Sequence, residues 1–323
     1  MLRGRNLLSE KLKVICRYLV LFTIVIGAGP QAFGQDTTSA AKGDKYLRFR
    51  DVFFIVLPDD RVEENISYSL SLGSFFTSKS KESPHPNWLS LFQTLGYNAS
   101  MERKERFVVS SSFHHELGFQ YLFDSLLTKQ QDRNTLITRI KWPLNGHVSF
   151  TLTSDAETGL LNSYDRHQDS SGSHNILTSA FLTPLQCVFS GGIDLTLKDL
   201  CSFNLGISSA KMTLVCDQSV YAASHRDKFF NVGKNKYVHF SYGISSELSL
   251  TRQFTKVINW DCNIKAFKDF NMPVDVKIKN ELKLTAGRHF KTSIMTRITY
   301  DREVNPTVEV ENMITVGFFI EVK

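Results

Sequence analysis

The residues of this sequence with the types and spacing to do chemistry stand on alternate positions in its C-terminal part. Asp275, Lys277, Lys279, Glu281 and Lys283 occupy every second position, and Arg297, Glu309 and Glu311 recur in two later segments built the same way. In an extended chain successive side chains point to opposite faces, so each set shares one face. Acids and bases on neighbouring segments can pair across strands and fill a narrow interior, or meet a small solute there. These eight are the candidate binding residues. The mixture of signs argues against an interior selective for one sign of ion.

Other chemistries find less to work with. His114 and His115 are adjacent, so in a strand they point to opposite faces and cannot share a metal by that route. His225 and His239 stand alone in polar surroundings, and Cys187, Cys201, Cys216 and Cys262 lack metal-ligand spacing. Buried free thiols are the expected state. The chain carries no nucleophile elbow, P-loop, dinucleotide fingerprint or zinc-helix motif. No cofactor and no metal are expected, and no catalytic residue is nominated. Membrane-embedded hydrolases build Ser/His or Asp/His sites from distant residues, so a hydrolase acting on lipid or peptide stays as an alternative.

The elements that would position these groups are strands. Val274, Val276, Ile278, Leu282 and Leu284, interrupted by Asn280, oppose the charged set of their segment. Phe290, Ile294, Ile298 and Tyr300 oppose Lys291, Ser293, Met295, Arg297 and Thr299. Val308, Val310, Ile314, Val316, Phe318, Ile320 and Val322 share a face against Glu309, Glu311, Thr315 and Glu321. Segments 238–250 and 258–265 alternate in the same way, and a helix would scatter every one of these sets around its circumference.

Length separates the architectures. A strand crossing a bilayer at a tilt needs about 9–11 residues, whereas strands of soluble proteins most often run about 5–6. These segments exceed the soluble mode. Short turns, Phe270–Pro273 and Ala286–His289, alternate with longer polar connections such as Asp217 to Lys234, as in outer-membrane barrels. Upstream the pattern continues near residues 65–76, 88–99, 106–122, 135–142, 147–154, 176–182, 187–197 and 202–214. A single-chain bacterial barrel closes with an even number of strands, so the expected fold is all-β, a closed antiparallel transmembrane β-barrel of 12–14 strands, with Tyr46 to Leu57 as the candidate extra strand. The tracts Ser78 to Asn87 and Tyr164 to Asn175 read as loops.

The N-terminus reads as an export signal. Arg3, Arg5, Lys11, Lys13 and Arg17 precede an apolar run over Tyr18–Ile26, and Ala32 and Gly34 place small side chains where a signal peptidase reads. Cleavage is expected between Gly34 and Gln35. A membrane anchor would need about 20 predominantly apolar residues, and this run is shorter. Residues 35–45 form a flexible leader and 46–323 the barrel. The 323 residues are 42% hydrophobic and 12% aromatic with a formal net charge of +6. Removing the signal's five basic residues and one acid leaves about +2, too little to argue for nucleic acid. Phe75, Phe76, Trp88, Tyr97, Tyr121, Trp142, Tyr237, Trp260, Tyr300 and Phe318 fall within or near strand ends and suit interfacial girdles. They would equally suit the core of a periplasmic or secreted β-sandwich that binds glycan or protein, the third alternative.

From about Asn175 the chain resembles an uncharacterised family of Bacteroidota outer-membrane barrels, a domain of unknown function. The resemblance rests on Ser179-Ala180-Phe181-Leu182-Thr183-Pro184, on Gly191-Gly192-Ile193-Asp194, on Ser209-Ala210-Lys211-Met212-Thr213, and on the long strands ending at Tyr300-Asp301 and the closing strand. It implies fold and location only. The N-terminal half departs from the family's Asn-Trp with paired glycines. The chain ends Ile320-Glu321-Val322-Lys323 without a terminal aromatic, leaving Phe318 and Phe319 for the barrel-assembly machinery to read. The expected protein is an outer-membrane channel, passive transporter or structural surface protein, with passage of a small solute preferred. Its expected partners are outer-membrane lipid, the assembly machinery and that solute.

Overall fold

Segments that alternate apolar with polar side chains can satisfy two different surroundings at once as strands, and the described residues are built almost wholly of them. A computed structural model describes residues 61–77, 89–103, 107–121, 128–169, 172–197, 200–224, 228–287, 289–301 and 305–322. The expected signal and leader, Tyr46 to Leu57, the tract Ser78 to Asn87, Trp88 and His225 lie outside the described residues.

The strands are β1 (Arg61–Thr77), β2 (Leu89–Arg103), β3 (Phe107–Tyr121), β4 (Thr128–Pro143), β5 (Val148–Thr158), β6 (Ser163–Asp169), β7 (Gly172–Ser179), β8 (Leu185–Leu197) and β9 (Cys201–Leu214). A short helix, α1 (Ser219–Ser224), precedes β10 (Lys228–Phe229), β11 (Val232–Gly233), β12 (Val238–Gln253), β13 (Ile258–Asp269), β14 (Val274–Ala286), β15 (Phe290–Asp301) and β16 (Asn305–Val322). Twelve of them close a barrel in the order β1-β16-β15-β14-β13-β12-β9-β8-β5-β4-β3-β2, every pair antiparallel. β1 and β16 zip together from Ile66 opposite Val322 to Thr77 opposite Glu311, so no edge is left to recruit another chain.

The wall strands run from 11 residues in β5 to 18 in β16, enough to cross a bilayer and extend beyond it. Hairpin connections at one end are short: 104–106, 144–147, 198–200, 254–257 and 287–289, the last turning through Gly287 at φ 68°. β1 begins and β16 ends at that same end. The opposite end carries the long connections 159–184 and 215–237. The Phe270–Pro273 turn, grouped by length with Ala286–His289, lies at this long-loop end, because strand direction and not turn length decides the end.

Most of the outward face is apolar and bare, while on β2 Tyr97, Ala99 and Met101 are buried, packed with Val62, Phe107, Val109 and Phe113. Leu72, Leu152, Ile193, Tyr242, Ile294, Val316 and Phe318 are exposed, Phe318 at 57%. A soluble protein rarely shows so continuous an apolar surface, and a barrel that does is built for lipid. Trp142 packs on Phe150 and Phe290 on Phe318 near the short-turn end, while Tyr237, Phe240, Tyr242 and Tyr300 stand near the long-loop end, forming two aromatic bands. The interruption at Asn280 is a paired group: Trp260 Nε1 donates to its Oδ1 at 2.6 Å, and on the next two strands Thr296 Oγ1 donates to Asn312 Oδ1 at 2.9 Å.

Two expectations are corrected. The segment 176–182 is no wall strand: its first part belongs to β7, which pairs only with β6 in a separate two-stranded sheet. The tract Tyr164 to Asn175, read as a loop, supplies most of that hairpin, and with 176–182 set aside the twelve remaining candidate segments are the twelve wall strands. Beside the hairpin, the two long connections build a small core of Leu177, Ala180, Val215, Val220, Tyr221, Phe229 and Val232. Tyr221 donates its hydroxyl to the Val232 carbonyl at 2.8 Å, and burial pushes its phenol above the ordinary value. Thr183, fully buried, accepts the Cys216 and Asp217 amides on its Oγ1 at 3.1 and 3.0 Å, tying one connection to the other.

Candidate functional site

The polar face of the wall strands encloses the lumen, and its charged residues meet across it. Arg297 on β15 reaches Glu116 on β3 at 3.0 Å, although β16, β1 and β2 separate those strands on the wall. Lys277 on β14 reaches Glu157 on β5 at 2.8 Å, and Lys265 on β13 pairs with Asp155 on the same β5. Arg139 on β4 pairs with Glu247 on β12, which also accepts from Asn263 Nδ2 at 2.9 Å. Lys211 on β9 bridges Asp275 on β14 and Asp301 on β15 at 2.8 and 3.4 Å. Neighbouring strands lie about 4.8 Å apart, so groups on strands this far round the wall can touch only through the interior. The pairs form a lattice that ties opposite walls together.

The eight residues singled out in the sequence stand in or beside this lattice. Asp275, Lys277 and Arg297 are placed as above, and Arg297 also holds Glu311 at 2.8 Å. Lys279 lies 3.6 Å from Glu116 and 3.5 Å from Glu281. Lys283 pairs with Asp261 at 2.6 Å and lies 3.5 Å from Glu281, which accepts from Ser293 Oγ at 2.8 Å. Glu309 sits on the same face two residues before Glu311. Their partners on β3, β4, β5, β9, β12 and β13 carry the same alternation, visible in Thr151, Thr153, Asp155 and Glu157 against Phe150, Leu152 and Ala156.

Beside and between these pairs the lumen keeps two cavities. A cavity of about 320 Å³ lies between β1–β3 and β14–β16, walled by Ser67, Ser69, Ser71 and Thr94 on one side and Lys279, Lys283, Lys291 and Ser293 on the other. Phe92, Met295 and Met313 form an apolar cluster in its lining. Towards the short-turn end a second cavity of about 640 Å³ shares Asn65 and Asn98 with the first and is lined by Ser100, Ser110, Ser112 and Arg139. Small hydroxyls and amides therefore mark a polar route beside the lattice.

His114 and His115 point to opposite faces: His114 Nε2 lies 3.1 Å from Glu116 in the lumen, and His115 Nδ1 lies 2.7 Å from Asn134 Oδ1 on the other face. Among the described residues Cys187, Cys201, Cys216 and Cys262 form no disulfide. Ser241 Oγ and His239 Nε2 come within 3.2 Å in the lumen, but among the described residues no carboxylate bonds the other ring nitrogen.

Among solved structures, the chain is similar to an outer membrane channel from Pseudomonas putida F1 at 9% identity, covering 83% of this chain and 97% of that one, with a TM-score of 0.38. It is similar to the NanC porin at 8% identity, covering 77% and 98%, with a TM-score of 0.38. The translocator domain of the autotransporter NalP from Neisseria meningitidis aligns at 8% identity over 83% and 91%, with a TM-score of 0.35. No protein-family model and no curated protein matches the chain.

Proposed function

We propose that this chain is a bacterial outer-membrane channel for a small polar solute, held at low conductance by the ion-pair lattice that crosses its lumen. The observation that carries the reading is the coexistence of that lattice with a hydroxyl-lined route on the β1–β3 side. A barrel with only a structural role needs no polar cavities in its lumen, and an open pore would not have opposite walls tied together. Short turns at one end and long connections at the other orient the barrel with its termini towards the periplasm. On this reading residues 1–34 are removed on export, and the assembly machinery reads β16 through Phe318 and Phe319. Kinship with the Bacteroidota barrels rests on the sequence motifs 179–184, 191–194 and 209–213 alone.

Planar bilayers test the channel. The wild-type barrel should give small, steady conductance steps, and the lattice double variant Glu157→Gln/Lys277→Gln should give larger ones. A wild-type barrel and a double variant that both stay silent would leave a sealed structural protein instead.

A further inference from the structure

Within the smaller cavity the charges of the lining do not balance. Three lysines line it, Lys279, Lys283 and Lys291, against two carboxylates, Glu116 and Glu281. Glu116 is already held by Arg297, His114 and the Gln131 side-chain amide as well as by Lys279. Glu281 is shared by Lys279, Lys283 and Ser293. Lys291 makes no ion pair with any described carboxylate. Its ammonium stands 5.0 Å over the ring of Phe319, a contact that leaves its hydrogen-bond donors unspent. Ser67, Ser69 and Ser71 line the same cavity; the hydroxyls of Ser67 and Ser71 can donate to an acceptor, and Ser69 Oγ is bonded to Thr94 Oγ1 at 2.5 Å.

An ammonium without an ion-pair partner among the described residues, in a partly enclosed cavity lined also by hydroxyls, is the chemistry that recognises an oxyanion. From this geometry we infer that the cavity is a subsite for a small solute bearing a carboxylate or phosphate group, with Lys291 as its charged contact and the β1 serines completing the shell. Its volume, against about 30 Å³ for a water molecule in the liquid, admits a compact metabolite and excludes a polymer. The apolar lining of Phe92, Met295 and Met313 leaves room for a non-polar part of the same solute. The inference deepens the channel reading by naming the class of its solute, and it rests on that reading only for how the solute arrives.

Calorimetric titration of inorganic phosphate into the full-length barrel in detergent micelles at low ionic strength tests it. The protein should bind phosphate saturably and glucose not at all. Lys291→Gln should weaken phosphate binding by at least about tenfold, the size of one lost charge-assisted hydrogen bond, while Lys291→Arg restores it. Lys234→Gln, at an exposed loop position, should bind as the wild type does. No binding by the wild type, or equal binding by Lys291→Gln, would overturn the inference. Should Lys291→Gln not fold, the contrast between phosphate and glucose in the unaltered protein decides. Phosphate binding in a barrel that passes no current would remove the channel reading and leave the subsite standing.

Discussion

Arg297 and Glu116 meet at 3.0 Å although three strands lie between theirs on the barrel wall, and both side chains are buried at that contact. Such a pair stands in low dielectric, where the loss of one partner leaves an uncompensated charge. Glu116→Ala should therefore lower the free energy of unfolding by about 3–5 kcal/mol, read from urea midpoints of the barrel folded in lipid. The apolar double variant Glu116→Leu/Arg297→Met should recover much of that loss. An unchanged midpoint in Glu116→Ala would show that the contact is not made in the membrane.

Thr183 binds the two long connections together through the Cys216 and Asp217 amides. Replacing its hydroxyl by a methyl in Thr183→Val keeps the shape and strands both donors, a loss of about 1–3 kcal/mol confined to the loops. Hydrogen exchange should quicken around residues 215–237 while the wall strands keep their protection. Faster exchange spread evenly over the wall would contradict a separate loop core.

Gly192 admits no side chain: a Cβ there would stand 1.9 Å from the Leu205 carbonyl oxygen on the neighbouring strand. Gly192→Ala forces β8 away from β9 beside the bulge between Gly191 and Gly192, and should cost about 1–3 kcal/mol. The difference in gel mobility between boiled and unboiled barrel should then vanish at a lower temperature than in the wild type. An unshifted temperature would mean that the two strands are not in this register.

The architecture was readable from the sequence wherever a strand kept one parity from end to end, as in β14 and β15. It was hardest to read where parity breaks. In β9 an extra residue near Ile207 shifts the pairing with both neighbours, so the lumen face passes from Asn204 and Gly206 to Ser209 and Lys211. β4 begins seven residues before the expected Thr135, because Asp132 faces outward at the long-loop end. Its carboxylate is held there by Lys129 Nζ at 3.0 Å and by the Leu160 amide at 2.9 Å. β7 alternates like a wall strand and yet pairs only with β6, since period two marks an extended chain and not its neighbour. The face carrying Asp275 to Lys283 was legible for the same reason as the strand. Its partners Glu116 and Glu157 were not, because which strands look at each other across a lumen depends on closure of the whole ring.

Lipid contact on the apolar face is the claim on which the lumen, the lattice and the cavity all depend. Spin labels placed one at a time from Val276→Cys to Leu282→Cys, in a barrel without its native cysteines and reconstituted in lipid, measure it residue by residue. Collision with membrane-dissolved oxygen should be high at 276, 278 and 282 and low at 277, 279 and 281, a period of two along β14. Uniformly low oxygen contact at all six positions would mean that another layer of protein covers the apolar face, and would contradict the barrel.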